Sequence, residues 1–155
     1  MSDDDETITV YRYDTRKFAD DEEMTSNGDH FERLNQDEKQ AETAIRDHMG
    51  NGHLLRSSAL YTWKNLEMAE FGWKAKKNMY LYELRVDKAD ILHTADLQEF
   101  TNINNALRKR ESADIHLKNY ANKVCSTKRI EILVSKATVV SCLRVPKTGR
   151  DANPV

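Results

Sequence analysis

Four stretches of the chain predict β-strands. Side chains alternate between two faces at about 8–13 and, most clearly, at about 79–86, as successive side chains on a strand do. Largely apolar stretches at about 130–134 and 138–145 predict the last two strands. In the stretch 8–13, Ile8, Val10 and Arg12 share one face. A further extended segment is expected at 54–63, and a tight turn at 135–137 is expected to join the last two strands into a hairpin.

Apolar residues at helical spacing predict three helices, at about 31–49, 66–73 and 106–124. Ala41 and Ile45 belong to the apolar face of the first helix. Gly50-Asn51-Gly52 is expected to end that helix, since glycine accepts the left-handed conformation common just past a helix. The polar stretch 14–30 is expected to be a loop, and 87–102 looks irregular.

The predicted order is strand, helix, strand, helix, strand, helix, strand, strand. This mixture favours the α+β class over a regular parallel sheet. Two small sheets flanking a cleft would suit the pattern. We expect one domain over 8–146, a disordered acidic tail over 1–7 and a flexible C-terminal tail over 147–155.

Composition narrows the class of protein. The 155 residues suffice for one domain with a real core, and 39% hydrophobic with 32% charged residues is typical of a soluble globular protein. A net charge of −2 does not indicate a nucleic-acid binder by bulk charge, so a polyanion would need a local basic patch. The sequence has neither a run of about 18 apolar residues nor a signal-peptide pattern. We therefore expect a cytoplasmic protein that does not bind membranes.

Arg12 is the first anomaly, because it puts a charge into an apolar strand. A buried guanidinium must pair with an anion, and its planar fork suits phosphate or carboxylate. It is interpreted either as an anion-binding residue on the floor of a cleft or as an exposed residue at the end of an edge strand.

Glu131 is the second anomaly, because it places a carboxylate at the mouth of the apolar strand Ile130–Val134. Burial raises the pKa of such a group unless a cation or hydrogen bonds hold its charge. Glu131 is therefore either a functional carboxylate that stabilises developing positive charge or an outward-facing residue on an edge strand.

Several common chemistries lack their residue patterns. The five histidines and two cysteines show no metal-ligand spacing, so no metal site is expected. No phosphate-cradling glycine motif occurs either. Small basic clusters, such as Lys128-Arg129, are most simply solvated, although a few near a cleft would steer a nucleic-acid strand.

Three segments in the same order resemble the ADP-ribosyltransferase family. The segment 10–16, VYRYDTR, closely resembles the opening strand of its pertussis-toxin-like members. The segment 80–87, YLYELRVD, resembles a central strand of the family, and 129–134, RIEILV, resembles the strand with its catalytic glutamate. The resemblance implies a split β-sandwich whose helices flank a cleft for NAD, which is a substrate of the reaction. It is closest to small single-domain enzymes of bacterial or phage type.

The resemblance also implies roles for individual residues. Arg12, with Tyr13 beside it, would contact the phosphates of NAD. Glu131 would engage the nicotinamide ribose and stabilise an oxocarbenium-like transition state. The family's Ser-Thr-Ser motif corresponds to a segment within 57–63, where Thr62 would supply the hydroxyl and Tyr61 would stack on a ring of NAD. The register of that segment is uncertain by one residue, and its aromatic residues fit a core equally well.

Arg129 departs from the family pattern, which has glutamate at this position in enzymes that modify arginine and glutamine in those that modify guanine bases. Since a cation repels a target guanidinium, arginine in a protein is a poor acceptor here. Arg129 is instead interpreted as an acceptor-binding residue that contacts a phosphate or stacks on a base, which favours RNA or DNA over protein.

The leading hypothesis is an NAD-dependent ADP-ribosyltransferase, related to toxins or phage effectors and subject to control by an antitoxin or inhibitor protein. The alternatives are an NAD glycohydrolase, in which water replaces the acceptor, and an inactive binding module with the same fold.

Overall fold

Seven strands form an antiparallel sheet in the computed structural model, which describes residues 6–147. They are β1 (Thr7–Asp14), β2 (Glu23–Met24), β3 (Leu60–Trp63), β4 (Tyr80–Asp87), β5 (Ile91–Asp96), β6 (Ile130–Val134) and β7 (Ala137–Arg144). Their order across the sheet is β2-β7-β4-β1-β3-β6-β5. The four stretches predicted to be strands are therefore strands, whereas the stretch 14–30, expected to be a loop, contains β2.

Five α-helices pack around the sheet within the described residues. They are α1 (Gln36–His48), α2 (Gly52–Ser58), α3 (Leu66–Ala75), α4 (Leu97–Arg108) and α5 (Asp114–Ala121). Single 3₁₀ turns cover Phe31–Arg33 and Lys88–Asp90. The expected α+β class is confirmed, and none of the described helices is long and apolar enough to cross a membrane.

The sheet is nearly divided at its centre. β1 and β3 are joined at a single register pair, Tyr11 with Trp63, whereas β1 and β4 pair along their whole length. Two half-sheets result, β2-β7-β4-β1 and β3-β6-β5. They share one apolar core, in which Val10 and Leu84 of the first half lie in the same cluster as Leu60 of the second. The site described below lies at this division.

The predicted terminal hairpin is wrong. β6 pairs with β3 and β5, whereas β7 pairs with β4 and β2. Although Ser135 and Lys136 alone separate these strands, the short connection passes from one half-sheet to the other. A local turn pattern does not reveal this, because the partners of both strands lie far away in sequence.

Three other predictions about local structure need correction. Residues 54–58 belong to helix α2 and not to an extended segment. The stretch 87–102, expected to be irregular, contains β5 and the first half of α4. The predicted helix at 106–124 is in fact the end of α4 followed by α5, because Arg110 adopts a left-handed conformation with φ of 58° and ends the first of them.

Local interactions fix the start of two helices near the site. Asn35 caps α1, accepting a hydrogen bond from the Glu38 backbone N–H at 2.8 Å while its own N–H donates to the Glu38 carboxylate at 3.1 Å. Asp96 caps α4 by accepting from the Gln98 N–H at 2.9 Å. Ala41 and Ile45 of α1 pack with Ile103 of α4 in a second core.

The expected tails lie largely outside the described residues. Where they overlap, Thr7 already belongs to β1, and the Lys147 amine donates to the backbone carbonyl of Lys74.

Candidate active site

A cavity of about 670 Å³ opens where β1 and β3 part. It is bounded by these strands, by α1, α2 and α4, and by the loop before α1. All the residues predicted as site residues line it, namely Arg12, Tyr13, Tyr61, Thr62, Arg129 and Glu131. Residues that are far apart in the sequence are thus brought to one concave surface, the usual setting of a ligand site.

Arg12 lies on a central strand, which excludes the edge-strand interpretation. Its Nε donates to Asp14 Oδ2 at 2.8 Å, and its Nη1 donates across the division to the backbone carbonyl of Tyr61 at 2.8 Å. Burial alone would raise the pKa of Asp14, but hydrogen bonds from Arg16 and the charge of Arg12 lower that pKa to about 2. Nη2 of Arg12 has no hydrogen-bond partner among the described residues. The guanidinium is thus held on two sides and keeps a donor for a ligand.

Glu131 is buried and lies on β6, between β3 and β5, so the edge-strand interpretation fails here as well. Its Oε1 is 3.6 Å from Arg56 Nη1 and accepts a long hydrogen bond from the Tyr120 hydroxyl at 3.4 Å. Burial raises the pKa of Glu131, and the charge of Arg56 opposes that rise. A carboxylate with this environment stabilises a nearby positive charge strongly, since little water screens it.

The sequence interpretation missed the group that holds Glu131 in place. Arg56 is 2% exposed, donates to both carboxylate oxygens of Glu42 and donates to the Tyr120 hydroxyl. Its guanidinium carbon also lies 5.1 Å from the ring centre of Tyr61. Arg56 therefore joins α2 to α1, α5 and β3 at the base of the cavity.

Glu42 is fully buried and is paired from three directions. Besides Arg56, it accepts from Arg46 Nε at 2.9 Å and lies 3.3 Å from His30 Nε2. Burial disfavours its charge, but hydrogen bonds from His30 and Arg56 outweigh this and hold the pKa of Glu42 well below its usual range. The spacing of Glu42 and Arg46, one helical turn apart, was the one signal of this cluster in the sequence.

Tyr61 forms one wall of the cavity. Its hydroxyl donates to the Arg56 carbonyl at 2.7 Å, and His30 packs edge-on against its ring at 4.6 Å between ring centres. Burial raises the pKa of Tyr61, so it remains neutral. The ring is thus held by His30 and Arg56 and through its hydroxyl, which fixes its orientation in the cavity wall.

The other predicted residues have distinct surroundings. The Thr62 hydroxyl is buried and donates to the Ile132 carbonyl at 2.7 Å, so its proton is already used within the sheet. Burial raises the pKa of Tyr13, whose ring lies 5.8 Å from Lys76 Nζ. Arg129 Nη1 donates to Gln98 Oε1 at 3.0 Å and to Thr101 Oγ1 at 3.2 Å, which holds it against α4.

Cationic groups outnumber carboxylates on the cavity wall. The cations are Arg12, Arg33, Arg56, Lys76 and Arg129, and the carboxylates are Glu38, Glu42 and Glu131. Since Arg56 and Glu42 pair with each other, the remaining balance favours a ligand that carries negative charge. The described residues include no group of three or more histidine, cysteine or acidic side chains placed to hold a metal ion.

Comparisons with protein-family models, with curated proteins and with solved structures found no match to this chain. Its function is therefore argued from the chemistry of the cavity.

Proposed function

We propose that the protein is an NAD-dependent ADP-ribosyltransferase with the split β-sandwich of that family and that the cavity between the half-sheets binds NAD. The observation that carries this proposal is that Arg12 and Glu131 line the same cavity, on central strands either side of the division. Both are charged residues on otherwise apolar strands. An exposed edge position accounts for neither of them.

The chemistry of NAD matches these two groups. Its diphosphate carries negative charge that Arg12 binds through the free Nη2, while the bonds to Asp14 and to the Tyr61 carbonyl keep the guanidinium in position. Loss of nicotinamide leaves positive charge on the ribose. The Glu131 carboxylate stabilises this charge in the transition state, because it is fixed and shielded from water.

Arg56 favours the charged form of Glu131. Burial raises the pKa of Glu131, and the charge of Arg56 opposes that rise. Since Arg56 already donates to both carboxylate oxygens of Glu42, it offsets part of the burial penalty without forming a close pair that would quench the Glu131 carboxylate.

The acceptor is proposed to be a macromolecule, with RNA or DNA favoured over protein because Arg129 lies beside Glu131. A cytoplasmic toxin or phage-related effector that an inhibitor protein controls is the proposed biological setting. This part of the proposal rests on the family resemblance.

The test is incubation of the purified protein with NAD labelled in the adenylate part, together with separate pools of protein, RNA and DNA. Nicotinamide release is followed in parallel by chromatography. We expect label in a nucleic-acid pool and a loss of at least about 100-fold in both signals for Glu131→Gln, the scale for removing one electrostatic group from a reacting centre.

Glu83→Gln is the matched control, because Glu83 lies on central strand β4 outside the cavity. Nicotinamide release without transfer would identify an NAD glycohydrolase. Absence of both signals in the unmodified protein would contradict enzymatic activity and leave the binding module.

A further inference from the structure

One face of helix α4 forms the cavity wall beside Glu131. Leu97, Phe100, Thr101 and Asn104 recur at the three- and four-residue spacing of one helical face, and all line the cavity. Part of this surface serves the fold, since Phe100 packs against the second core and Thr101 holds Arg129. Asn104 is different, because its amide makes no hydrogen bond to any of the described residues.

Position within the cavity separates this face from the proposed phosphate site. Arg12 belongs to β1, and α4 follows β5, which lies three strands further along the sheet. At about 4.8 Å per strand, β1 and β5 are roughly 14 Å apart. In the proposal, the phosphates of NAD lie at the first half-sheet and the acceptor approaches beside the second, which carries Glu131.

Three side chains here have the chemistry that recognises a nucleobase. Phe100 offers a ring on which a base stacks, half-buried and 6.0 Å from the guanidinium carbon of Arg56. Asn104 offers one donor and one acceptor, which match the edge of an unpaired base. Arg129 is held through Nη1 and keeps the three N–H donors of Nε and Nη2.

We infer that Phe100, Asn104 and Arg129 form an acceptor subsite that takes an unpaired nucleobase of single-stranded nucleic acid. This inference rests on the proposed function and names the acceptor of that same site. A base bound here lies next to Glu131, because Arg129 and Glu131 are two residues apart in the chain and line the same cavity.

The transfer balances without a further reactant. A nitrogen lone pair of the base forms a bond to the anomeric carbon of the ribose. The bond from that carbon to the nicotinamide nitrogen breaks, and its electron pair neutralises the pyridinium ring. The proton displaced from the base nitrogen passes to water, and neutral nicotinamide leaves.

Binding is tested apart from turnover, with the Glu131→Gln protein at fixed ionic strength. The probes are dye-labelled eight-nucleotide single strands of DNA and of RNA, with the matching duplexes as controls, followed by fluorescence anisotropy. We expect Asn104→Ala and Phe100→Leu each to weaken single-strand binding roughly 5–150-fold, the range for one lost base-edge or stacking contact. Duplexes should bind more weakly, since their base edges are already paired.

Asn105→Ala is the matched control for the amide, because Asn105 lies on α4 outside the cavity and bonds to Arg108 at 3.0 Å. NAD affinity is measured on every variant.

Single strands that do not bind, or that bind equally well to Asn104→Ala and Asn105→Ala, would overturn the inference. An equal loss of NAD affinity in Asn104→Ala would overturn it too, since the face would then hold the adenine of NAD. These results are distinct from failure of the proposed function, which is read from nicotinamide release by the unmodified protein.

Discussion

Replacing Arg56 with methionine tests the ion-pair cluster beneath the cavity. Methionine has a similar length and no charge, so the change removes the guanidinium while filling much of its space. Glu42, which is fully buried, loses two charge-assisted hydrogen bonds and keeps only Arg46 and His30. Glu131 loses its nearest cation.

The expected loss of stability follows from these contacts. Removing one partner of a buried ion pair leaves an uncompensated charge and lowers the free energy of unfolding by about 3–5 kcal/mol. For a chain of this size the melting temperature should fall by roughly 6–20 °C. Urea unfolding followed by circular dichroism measures this loss as a lower midpoint concentration with an unchanged m-value.

Two further variants make the result specific. Arg108→Met removes an exposed arginine and should change the free energy of unfolding by no more than about 0.5 kcal/mol. Glu42→Gln combined with Arg56→Met should be more stable than the sum of the two single losses predicts, because the double variant leaves no unpaired carboxylate at Glu42. A loss below about 1 kcal/mol in Arg56→Met, or strict additivity in the double variant, would refute the assignment of Arg56 as the partner that neutralises Glu42.

Two other predictions concern the framework of the site. Gly52→Ala should destabilise the protein by about 1–3 kcal/mol in thermal melts, because a Cβ there would lie 2.5 Å from the Arg46 carbonyl oxygen. Gly50→Ala should be nearly neutral, because a Cβ at that position has nothing within 4 Å. Equal effects of the two substitutions would contradict the close packing of α1 on α2. The lowered pKa of Asp14 adds stability above its ordinary pKa of 3.8, and this is lost as pH falls toward 2. Asp14→Asn should therefore flatten the acid limb of a stability–pH curve by about 2 kcal/mol, and an unchanged limb would show that Asp14 is not held by Arg12 and Arg16.

The sequence was most informative where the pattern of apolar residues within one strand is enough to predict that strand. Alternation predicted β1 and β4, an apolar run predicted β6, and a charge among apolar neighbours drew attention to Arg12 and Glu131. Both lie on the cavity, because a charged side chain on a central strand needs either a partner or a ligand. Their proposed roles remain predictions.

The sequence did not predict elements whose buried side chains pair with residues far away in the chain. Because Arg56 is charged, the sequence of α2 lacks the apolar pattern expected of a helix packed in the core. Its partner Glu42 lies 14 positions away on another helix. The inner face of β5 carries His93, which stacks on Tyr120 of α5 and donates from Nε2 to the Tyr120 backbone carbonyl at 2.8 Å. Local periodicity contains neither partner, so no window of neighbouring residues predicts these elements.

The single register pair between β1 and β3 has a mechanical consequence. Because a single residue pair joins β1 and β3, the hydrogen bond from the Arg12 guanidinium to the Tyr61 carbonyl supplies much of the polar contact across the division. A dinucleotide bound over this division would contact both half-sheets and hold them together. Because such a ligand binds the native state alone, it would raise the unfolding midpoint in proportion to the logarithm of its concentration.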